Sequence, residues 1–129
     1  MASSNVRILI ADDDQDLAES LADLLRFHGY DVDLAKDGQD ALQRSLAADH
    51  DITFMDVRMP VMNGVDSFLA IRKVKPHSRV VMMTGFREAI LQQAIDAGAE
   101  GPLSKPFPVG DILKLIEDGR LPGSSNNGA

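Results

Sequence analysis

The sequence predicts an α/β fold with a doubly wound parallel sheet between two layers of helices, and three observations support this prediction. Five short apolar runs alternate with five segments whose apolar residues recur at helical spacing. Glycine, proline or asparagine separates most of these segments. The connections are short, and strands alternating with helices over short connections are typical of a parallel sheet covered on both faces.

The first two elements are a strand over residues 6–11 and a helix after it. Residues 6–11 read VRILIA, a nearly continuous apolar run that is typical of a strand covered on both faces. The acidic run Asp12-Asp13-Asp14 ends this strand. Apolar side chains then recur at helical spacing at Leu17, Leu21, Leu24, Leu25 and Phe27 or His28. Gly29 stands where a glycine commonly ends a helix.

The second and third strands each lead into a helix. Residues 31–35 alternate as a strand does, and Asp37-Gly38 predicts a turn after them. Residues 52–55 form the third strand, Asp56 follows directly, and Asn63-Gly64 predicts another turn. The apolar positions of the two helices are Ala41, Leu42, Leu46 and Ala47 in the first, and Val65, Phe68, Leu69 and Ile71 in the second.

The last two strands complete the alternation. Residues 79–83 form a fourth strand that ends at Thr84-Gly85, and residues 101–104 form a short fifth strand before a tight turn at Lys105-Pro106. The apolar positions of the last two helices are Ile90, Leu91, Ala94 and Ile95, then Ile112, Leu113, Leu115 and Ile116. The pattern leaves the strand order open, and the flavodoxin-like order 2-1-3-4-5 is one possibility.

Length and composition limit the class of protein. The 129 residues suit a single domain, predicted over residues 1–119, with a linker or disordered tail over residues 120–129. A net charge of -7 argues against nucleic acid contact by this domain, and the absence of cysteine excludes disulfides and thiolate metal sites. No apolar run reaches the roughly 18 residues of a membrane span, and no signal peptide is visible, so we predict a cytoplasmic protein without membrane contact.

Polar side chains follow four of the predicted strands at their carboxyl ends. Asp12 and Asp13 follow the first strand, Asp56 the third, Thr84 the fourth and Lys105 the fifth. The carboxyl ends of parallel strands lie along one edge of the sheet, where ligands of open α/β sheets bind. We therefore expect these five side chains to form one site.

Three carboxylates at this edge favour a metal site. At about 4 Å, each pair of like charges repels by ~1 kcal/mol in water and by ~4 kcal/mol at an effective dielectric near 20. A divalent cation relieves this repulsion, and a set of oxygen ligands with open positions suits Mg²⁺. Asp56 could then act as a nucleophile toward a phosphoryl donor, with Mg²⁺, the Lys105 ammonium and the Thr84 hydroxyl each contacting one phosphoryl oxygen.

Each of these features alone also has a simpler interpretation. Aspartate is favoured in the first turn of a helix, and we assign Asp14 and Asp16 to that role. Taken singly, Thr84 is a turn residue and Lys105 a surface lysine. Arg58 either flanks the site and influences the lifetime of a phosphoryl group or is exposed without function. Only the convergence of the strand-end residues favours chemistry.

Four motifs, in this order and at this spacing, resemble the receiver domain of a two-component response regulator: ILIADDD, DITFMDVRMPVMNG, VVMMTG and LSKPF. The resemblance covers about residues 6–118 and implies the strand order 2-1-3-4-5. The segment VRMPVMNG is most similar to receivers that precede ATPase and DNA-binding domains in sigma-54-dependent activators.

The resemblance also implies a role for each site residue. Asp56 is the implied phosphoacceptor, and Thr84 and Lys105 are the implied catalytic partners of its phosphoryl group. Magnesium is the implied essential metal, and its ligands would be Asp13, Asp56, the backbone carbonyl of Arg58 and, through water, Asp12. A cis peptide bond between Lys105 and Pro106 is implied as well.

The sequence departs from the family at one position. Three residues before the lysine the family usually has Tyr or Phe, whose ring moves inward as the threonine moves toward the phosphoryl group, and this chain has Pro102. Proline is tolerated in an edge strand, but it cannot replace an aromatic ring. We name Phe86, two residues after Thr84, as the group that takes this role; the alternative is a coupling through backbone and helix movement alone.

The predicted function is a signalling switch that a sensor histidine kinase phosphorylates on Asp56. It would catalyse only its own phosphorylation and dephosphorylation, and would alter a dimerisation face built by the fourth helix, fifth strand and fifth helix. We expect an effector domain in a longer chain. A docking module that never takes phosphate is one alternative, favoured by Pro102 alone. A magnesium phosphatase acting on an external substrate is the other, and it would need a specificity pocket or a cap domain.

Overall fold

The structure is a computed structural model that describes residues 6–86 and 88–118. The tail predicted over residues 120–129 lies outside the described residues, so its assignment as a linker stays a prediction. None of the helices in the described part of the chain has the length and apolar character needed to cross a membrane.

Five strands and five helices alternate, as predicted. The strands are β1 (Arg7–Ala11), β2 (Asp31–Ala35), β3 (Ile52–Asp56), β4 (Val80–Thr84) and β5 (Glu100–Ser104). The helices are α1 (Gln15–Phe27), α2 (Gly38–Ala47), α3 (Gly64–Val74), α4 (Leu91–Asp96) and α5 (Val109–Asp118). Each strand end lies within one residue of its prediction, and the shift places Asp56 and Thr84 inside their strands, as the last residues.

The strands form one parallel sheet in the order β2-β1-β3-β4-β5, which confirms the order that the resemblance implied. Strand β1 lies between β2 and β3, and its Ala11 is in register with Met55. Asp56 of β3 is in register with Met83 of β4. The carboxyl ends of β1, β3 and β4 are therefore level with one another at one edge.

Helices cover both faces of this sheet. On one face, Ile8 and Ile10 of β1 pack with buried residues of α1 and α5. On the other, Leu9 and Ala11 pack with buried residues of α2, α3 and α4. Full burial of one such Leu or Ile side chain is worth ~1.5–3 kcal/mol relative to exposure, so these two layers of contacts fix the strands from both sides.

Helix α1 has the predicted position but not the predicted set of core residues. Ala18, Leu21, Ala22 and Leu25 are buried, whereas Leu17, Leu24 and Phe27 are 49%, 42% and 86% exposed. Leu46 of α2 is likewise 48% exposed. Two alanines and two leucines of α1 therefore face the sheet, whereas Leu17 and Leu24 lie at the edge of the contact.

The two predicted turns before α2 and α3 are helix starts. The Asp37 carboxylate accepts the N–H of Asp40, and the Asn63 side-chain oxygen accepts the N–H of Asp66, so both residues cap their helices. The glycine that follows each cap is the first residue of the helix. Asp14 caps α1 in the same way by accepting the N–H of Leu17, which confirms its helix-start role.

Strand β5 is an edge strand, as Pro102 required. Its pairing with β4 shifts register between Val81 and Met83, and Gly101 has a φ of 101° at this irregularity. The implied cis bond between Lys105 and Pro106 is present, and a second cis bond joins Gly101 to Pro102.

Candidate functional site

The carboxyl edge of the sheet brings the predicted site residues together. Asp56 and Thr84 are the last residues of β3 and β4, and Asp12 and Asp13 directly follow β1. Lys105 follows β5, and its backbone N–H donates to the Thr84 carbonyl at 2.8 Å, which continues the β4–β5 pairing by one step. Parallel pairing therefore delivers all five residues to one place.

The three carboxylates lie close together but differ in exposure. Asp12 and Asp56 are buried, at 3% and 7% exposure, whereas Asp13 is exposed. One carboxylate oxygen from each lies within 4.8 Å of the others. The backbone N–H of Asp14 donates to Asp12 Oδ1 at 3.0 Å, which holds that carboxylate in place.

The Lys105 ammonium bridges the two buried carboxylates. Its Nζ lies 2.6 Å from Asp12 Oδ2 and 3.2 Å from Asp56 Oδ2. Burial disfavours the charge of Lys105, but its hydrogen bond and attraction to Asp12, together with those to Asp56, outweigh this effect and raise its pKa. Lys105 is therefore a fixed cation whose closer partner is Asp12.

Of the two buried carboxylates, Asp56 lies farther from the Lys105 ammonium. Burial raises its pKa from the ordinary 3.8 to about 6, because the charged form loses hydration. The attraction of Lys105 opposes this shift, and repulsion from Asp12 adds to it. Asp56 is thus still mostly ionised at pH 7. A positive or electrophilic group that approaches its other oxygen would stabilise this partly dehydrated charge.

Close packing fixes the backbone beneath Asp56. A Cβ added at Gly64 would lie 2.0 Å from the Asp56 carbonyl oxygen, so only glycine fits at this first position of α3. The Gly64 N–H donates to the Val57 carbonyl at 2.9 Å, and the Val57 N–H donates to Met83 at 3.0 Å. Helix α3 therefore packs directly on the end of β3 and restricts where Asp56 can move.

Thr84 is buried, and its hydroxyl bonds the backbone two residues later. Its Oγ1 donates to the Phe86 carbonyl at 2.5 Å and accepts the Phe86 N–H at 3.1 Å. The hydroxyl has one proton, and in this state it is donated to the Phe86 carbonyl.

Arg58 turns its side chain away from the carboxylates. Its Nε donates to Glu88 Oε2 at 2.8 Å, and its guanidinium carbon lies 5.1 Å from the centre of the Phe86 ring. Sequence reasoning missed Glu88, because no spacing signal links it to a residue 30 positions earlier. The assignment of the Arg58 backbone carbonyl as a metal ligand stays a prediction.

The donor set fits a hard divalent cation. Three carboxylates supply oxygen ligands and no nitrogen or sulfur, and exposed Asp13 opens the cluster to solvent. Within residues 6–86 and 88–118, Lys105 contacts Oδ2 of Asp12 and of Asp56, and no ion pair reaches Asp13. The residues present therefore suit Mg²⁺.

An apolar groove of about 440 Å³ borders α1. Its lining includes two residues of the site, Asp12 and Lys105, and the apolar Leu17, Leu24 and Phe107. The exposed leucines of α1 thus border a surface that leads to the carboxylates.

Known proteins are similar to this chain in sequence and in fold. A family model described as the response regulator receiver domain matches residues 8–117. The chain is 37% identical over 115 residues to the transcriptional regulatory protein PdtaR of Mycobacterium tuberculosis. The alignment covers 86% of this chain and 55% of PdtaR. The chain is 35% identical over 115 residues to the transcriptional regulatory protein LnrK of Bacillus subtilis, with 86% and 52% covered. The chain therefore spans about half the length of these relatives.

Solved structures agree. A CheY-like response regulator receiver domain protein from Methanospirillum hungatei superposes with a TM-score of 0.84 at 28% identity, covering 89% of this chain and 93% of that one. The chemotaxis protein CheY4 of Vibrio cholerae gives 0.81 at 30% identity, covering 89% and 98%. The resemblance to sigma-54-dependent activators stays a prediction, because the names of these relatives do not test it.

Proposed function

The chain belongs to the response regulator receiver domain family, and from that membership we propose that it is a phosphorylation-controlled switch whose phosphoacceptor is Asp56. The observation that carries the proposal is the arrangement of Asp56 itself: a buried carboxylate with a raised pKa, beside one fixed ammonium and two further carboxylates. The proposed donor is a phosphohistidine of a sensor histidine kinase.

In the proposed step an ionised oxygen of Asp56 attacks phosphorus. A phosphorus–oxygen bond forms, the phosphorus–nitrogen bond of the donor breaks, and the histidine nitrogen leaves with its electron pair. The Lys105 ammonium, 3.2 Å from Asp56 Oδ2, would bind one oxygen of the transferring group, and the Thr84 hydroxyl would bind another. The bonds to Asp12 and Asp56 keep the Lys105 ammonium in position, whereas the Thr84 hydroxyl must first release the Phe86 carbonyl.

We assign the metal to the carboxylate cluster. Asp13 and Asp56 would hold Mg²⁺ together with the Arg58 carbonyl, and Asp12 would act through water. When bound, Mg²⁺ would supply charge neutralisation between the acidic residues and the phosphoryl oxygens. Asp12 is also hydrogen-bonded to the Asp14 N–H and to Lys105, so it keeps the ammonium oriented toward the acceptor.

The groove along α1 supports the approach of a protein donor. A helix lying against exposed Leu17 and Leu24 would have its side chains close to Asp12 and Lys105, which line the same groove. This placement would bring a phosphohistidine beside Lys105, whose ammonium lies 3.2 Å from Asp56 Oδ2.

The output is proposed from the family and the relatives. Phosphorylation would alter the surface formed by α4, β5 and α5, the proposed dimerisation face, and an effector domain in a longer chain would respond to it. PdtaR and LnrK are named as transcriptional regulatory proteins, which favours control of transcription. Catalysis limited to the chain's own aspartate and a cytoplasmic location both stay predictions.

Intact-protein mass tests the phosphoacceptor. Wild type, Asp56→Asn and, as a matched control, Asp31→Asn are incubated with acetyl phosphate, either with magnesium or with a chelator. Asp31 is exposed at the opposite end of the sheet. We expect wild type and Asp31→Asn to gain one phosphoryl group with magnesium only, and Asp56→Asn to gain none. The absence of any gain in wild type would overturn the switch and leave the docking-module alternative.

A further inference from the structure

The Thr84 hydroxyl cannot serve Phe86 and a phosphoryl oxygen at once. Its proton is donated to the Phe86 carbonyl at 2.5 Å, and a hydroxyl donates only one hydrogen bond. Donation to a phosphoryl group on Asp56 therefore requires the Phe86 carbonyl to lose its partner. The Phe86 N–H also donates to Thr84 at 3.1 Å, so a movement of the Thr84 oxygen toward the phosphoryl group would break both of its bonds to Phe86.

The Phe86 ring lies outside the core, beside the Arg58 guanidinium. The ring is 64% exposed, and the Arg58 guanidinium covers one of its faces at 5.1 Å. Arg58 is in turn paired with Glu88 at 2.8 Å, although the arginine side chain is largely exposed. An exposed phenylalanine gains free energy when its apolar surface is buried, and the contact with Arg58 and the backbone bonds to Thr84 oppose an inward movement in this state.

Space for the ring exists directly beside it. A groove of about 460 Å³ lies between helix α4 and strand β5, which we call the α4–β5 groove. The residues that line it include Thr84, Phe86, Leu91, Ile95, Pro102 and Ser104. The short proline ring at the edge strand leaves this groove open, and its two apolar α4 side chains offer the burial that the phenylalanine lacks.

We propose that Phe86 links the phosphoacceptor site to the α4–β5 groove. When the Thr84 hydroxyl turns to a phosphoryl oxygen on Asp56, the Phe86 ring leaves Arg58 and packs into the groove beside Pro102. The inference rests on the proposed phosphorylation of Asp56. It assigns the resulting change to one side chain and one groove, and so places the conformational signal on the α4 and β5 side of the domain.

Tryptophan emission tests the movement. The chain contains no tryptophan, so Phe86→Trp provides a single reporter. In excess acetyl phosphate and magnesium we expect its emission to shift to shorter wavelength, because the indole leaves water. The shift should be lost when Asp56→Asn is added. Phe27→Trp, at a position 86% exposed on α1, is the matched control and should not shift.

A second readout keeps the natural ring. The methyl resonances of Ile95 should move upfield on phosphorylation of the wild type, because an aromatic ring enters the groove. In Phe86→Leu the upfield movement should be lost, while the gain of one phosphoryl group in mass is retained.

Intact-protein mass distinguishes a failure of the proposed function from a failure of the inference about Phe86. A phosphoryl gain with unchanged Trp emission and unchanged Ile95 resonances would overturn the inference and leave the proposed function intact. No phosphoryl gain in wild type would overturn the proposed function and the inference with it. An emission shift that persists in the Asp56→Asn background would show that the movement is independent of phosphorylation and would also overturn the inference.

Discussion

Replacement of Asp56 by asparagine should stabilise the domain when no metal is bound. The folded state raises the pKa of this carboxyl from 3.8 to about 6 because burial removes hydration from the charged form. Two pKa units correspond to ~3 kcal/mol of unfavourable free energy at neutral pH. Because Asp56 lies at the rim of the sheet and is not fully buried, we expect Asp56→Asn to raise the free energy of unfolding by about 1–2 kcal/mol at pH 7. The asparagine oxygen can still accept from Lys105.

The sign of the pH dependence follows from the direction of the shift. A raised pKa means that the folded protein binds the Asp56 proton more tightly than the unfolded chain does. The contribution of Asp56 to stability is therefore fully present below its ordinary pKa of 3.8 and is lost as the pH rises from there through about 6. The advantage of Asp56→Asn over wild type should grow over the same interval and be nearly absent at pH 4. Titrating groups that lie far from Asp56 cancel in this difference.

Urea unfolding in the presence of a chelator, at several pH values from 4 to 7.5, measures this difference. The chelator is needed because a bound cation would neutralise Asp56 in the wild type. Glu19→Gln removes a charge from an exposed position of α1 and is the control, for which we expect little change at any pH. A lower stability of Asp56→Asn at pH 7, or an advantage that is the same at pH 4, would refute the electrostatic argument.

Three further predictions concern the metal and the backbone. Magnesium at 100 times its dissociation constant should stabilise the wild type by about 2.7 kcal/mol in thermal unfolding, and Asp13→Asn should lose most of this effect; an equal gain in the variant would remove Asp13 from the ligand set. Gly64→Ala should lower the free energy of unfolding in urea by about 1–3 kcal/mol and reduce phosphoryl uptake, because its Cβ would lie 2.0 Å from the Asp56 carbonyl oxygen. Gly110→Ala is the control and should be tolerated, because the space around Gly110 is open. Val61 has a φ of 69°, a strained value for a β-branched residue, so Val61→Asn should stabilise by about 1 kcal/mol in the same assay; a similar gain in Val74→Asn, at an exposed helical valine, would show that strain is not the cause.

The local pattern predicted the elements, but not every face or cap. Ala18 and Ala22 face the sheet while Leu17 and Leu24 border a groove, because helix α1 packs closely and its rotation depends on the strands and on α5. Periodicity fixes the helix, whereas its orientation is a property of the whole packed layer. The two dipeptides predicted as turns begin helices in the structure, because the Asp37 and Asn63 side chains accept backbone N–H groups of the first helical turn.

At the site too, the sequence predicted the location of the residues but not the contacts between their side chains. Sequence alone placed Asp12, Asp13, Asp56, Thr84 and Lys105 at one edge, since parallel strands carry their carboxyl ends to the same side whatever their order. Pairings between these and other side chains needed the tertiary structure.

The preference of Lys105 for Asp12, the closure of the Thr84 hydroxyl on Phe86 and the bond from Arg58 to Glu88 join residues whose separation carries no repeating signal. The sequence by itself determined the class of fold and the inventory of the site, because both follow from local periodicity and from the geometry of parallel strands. Only the tertiary structure decided how charge and space are distributed within the site, because burial and distance are set by distant parts of the chain packing together.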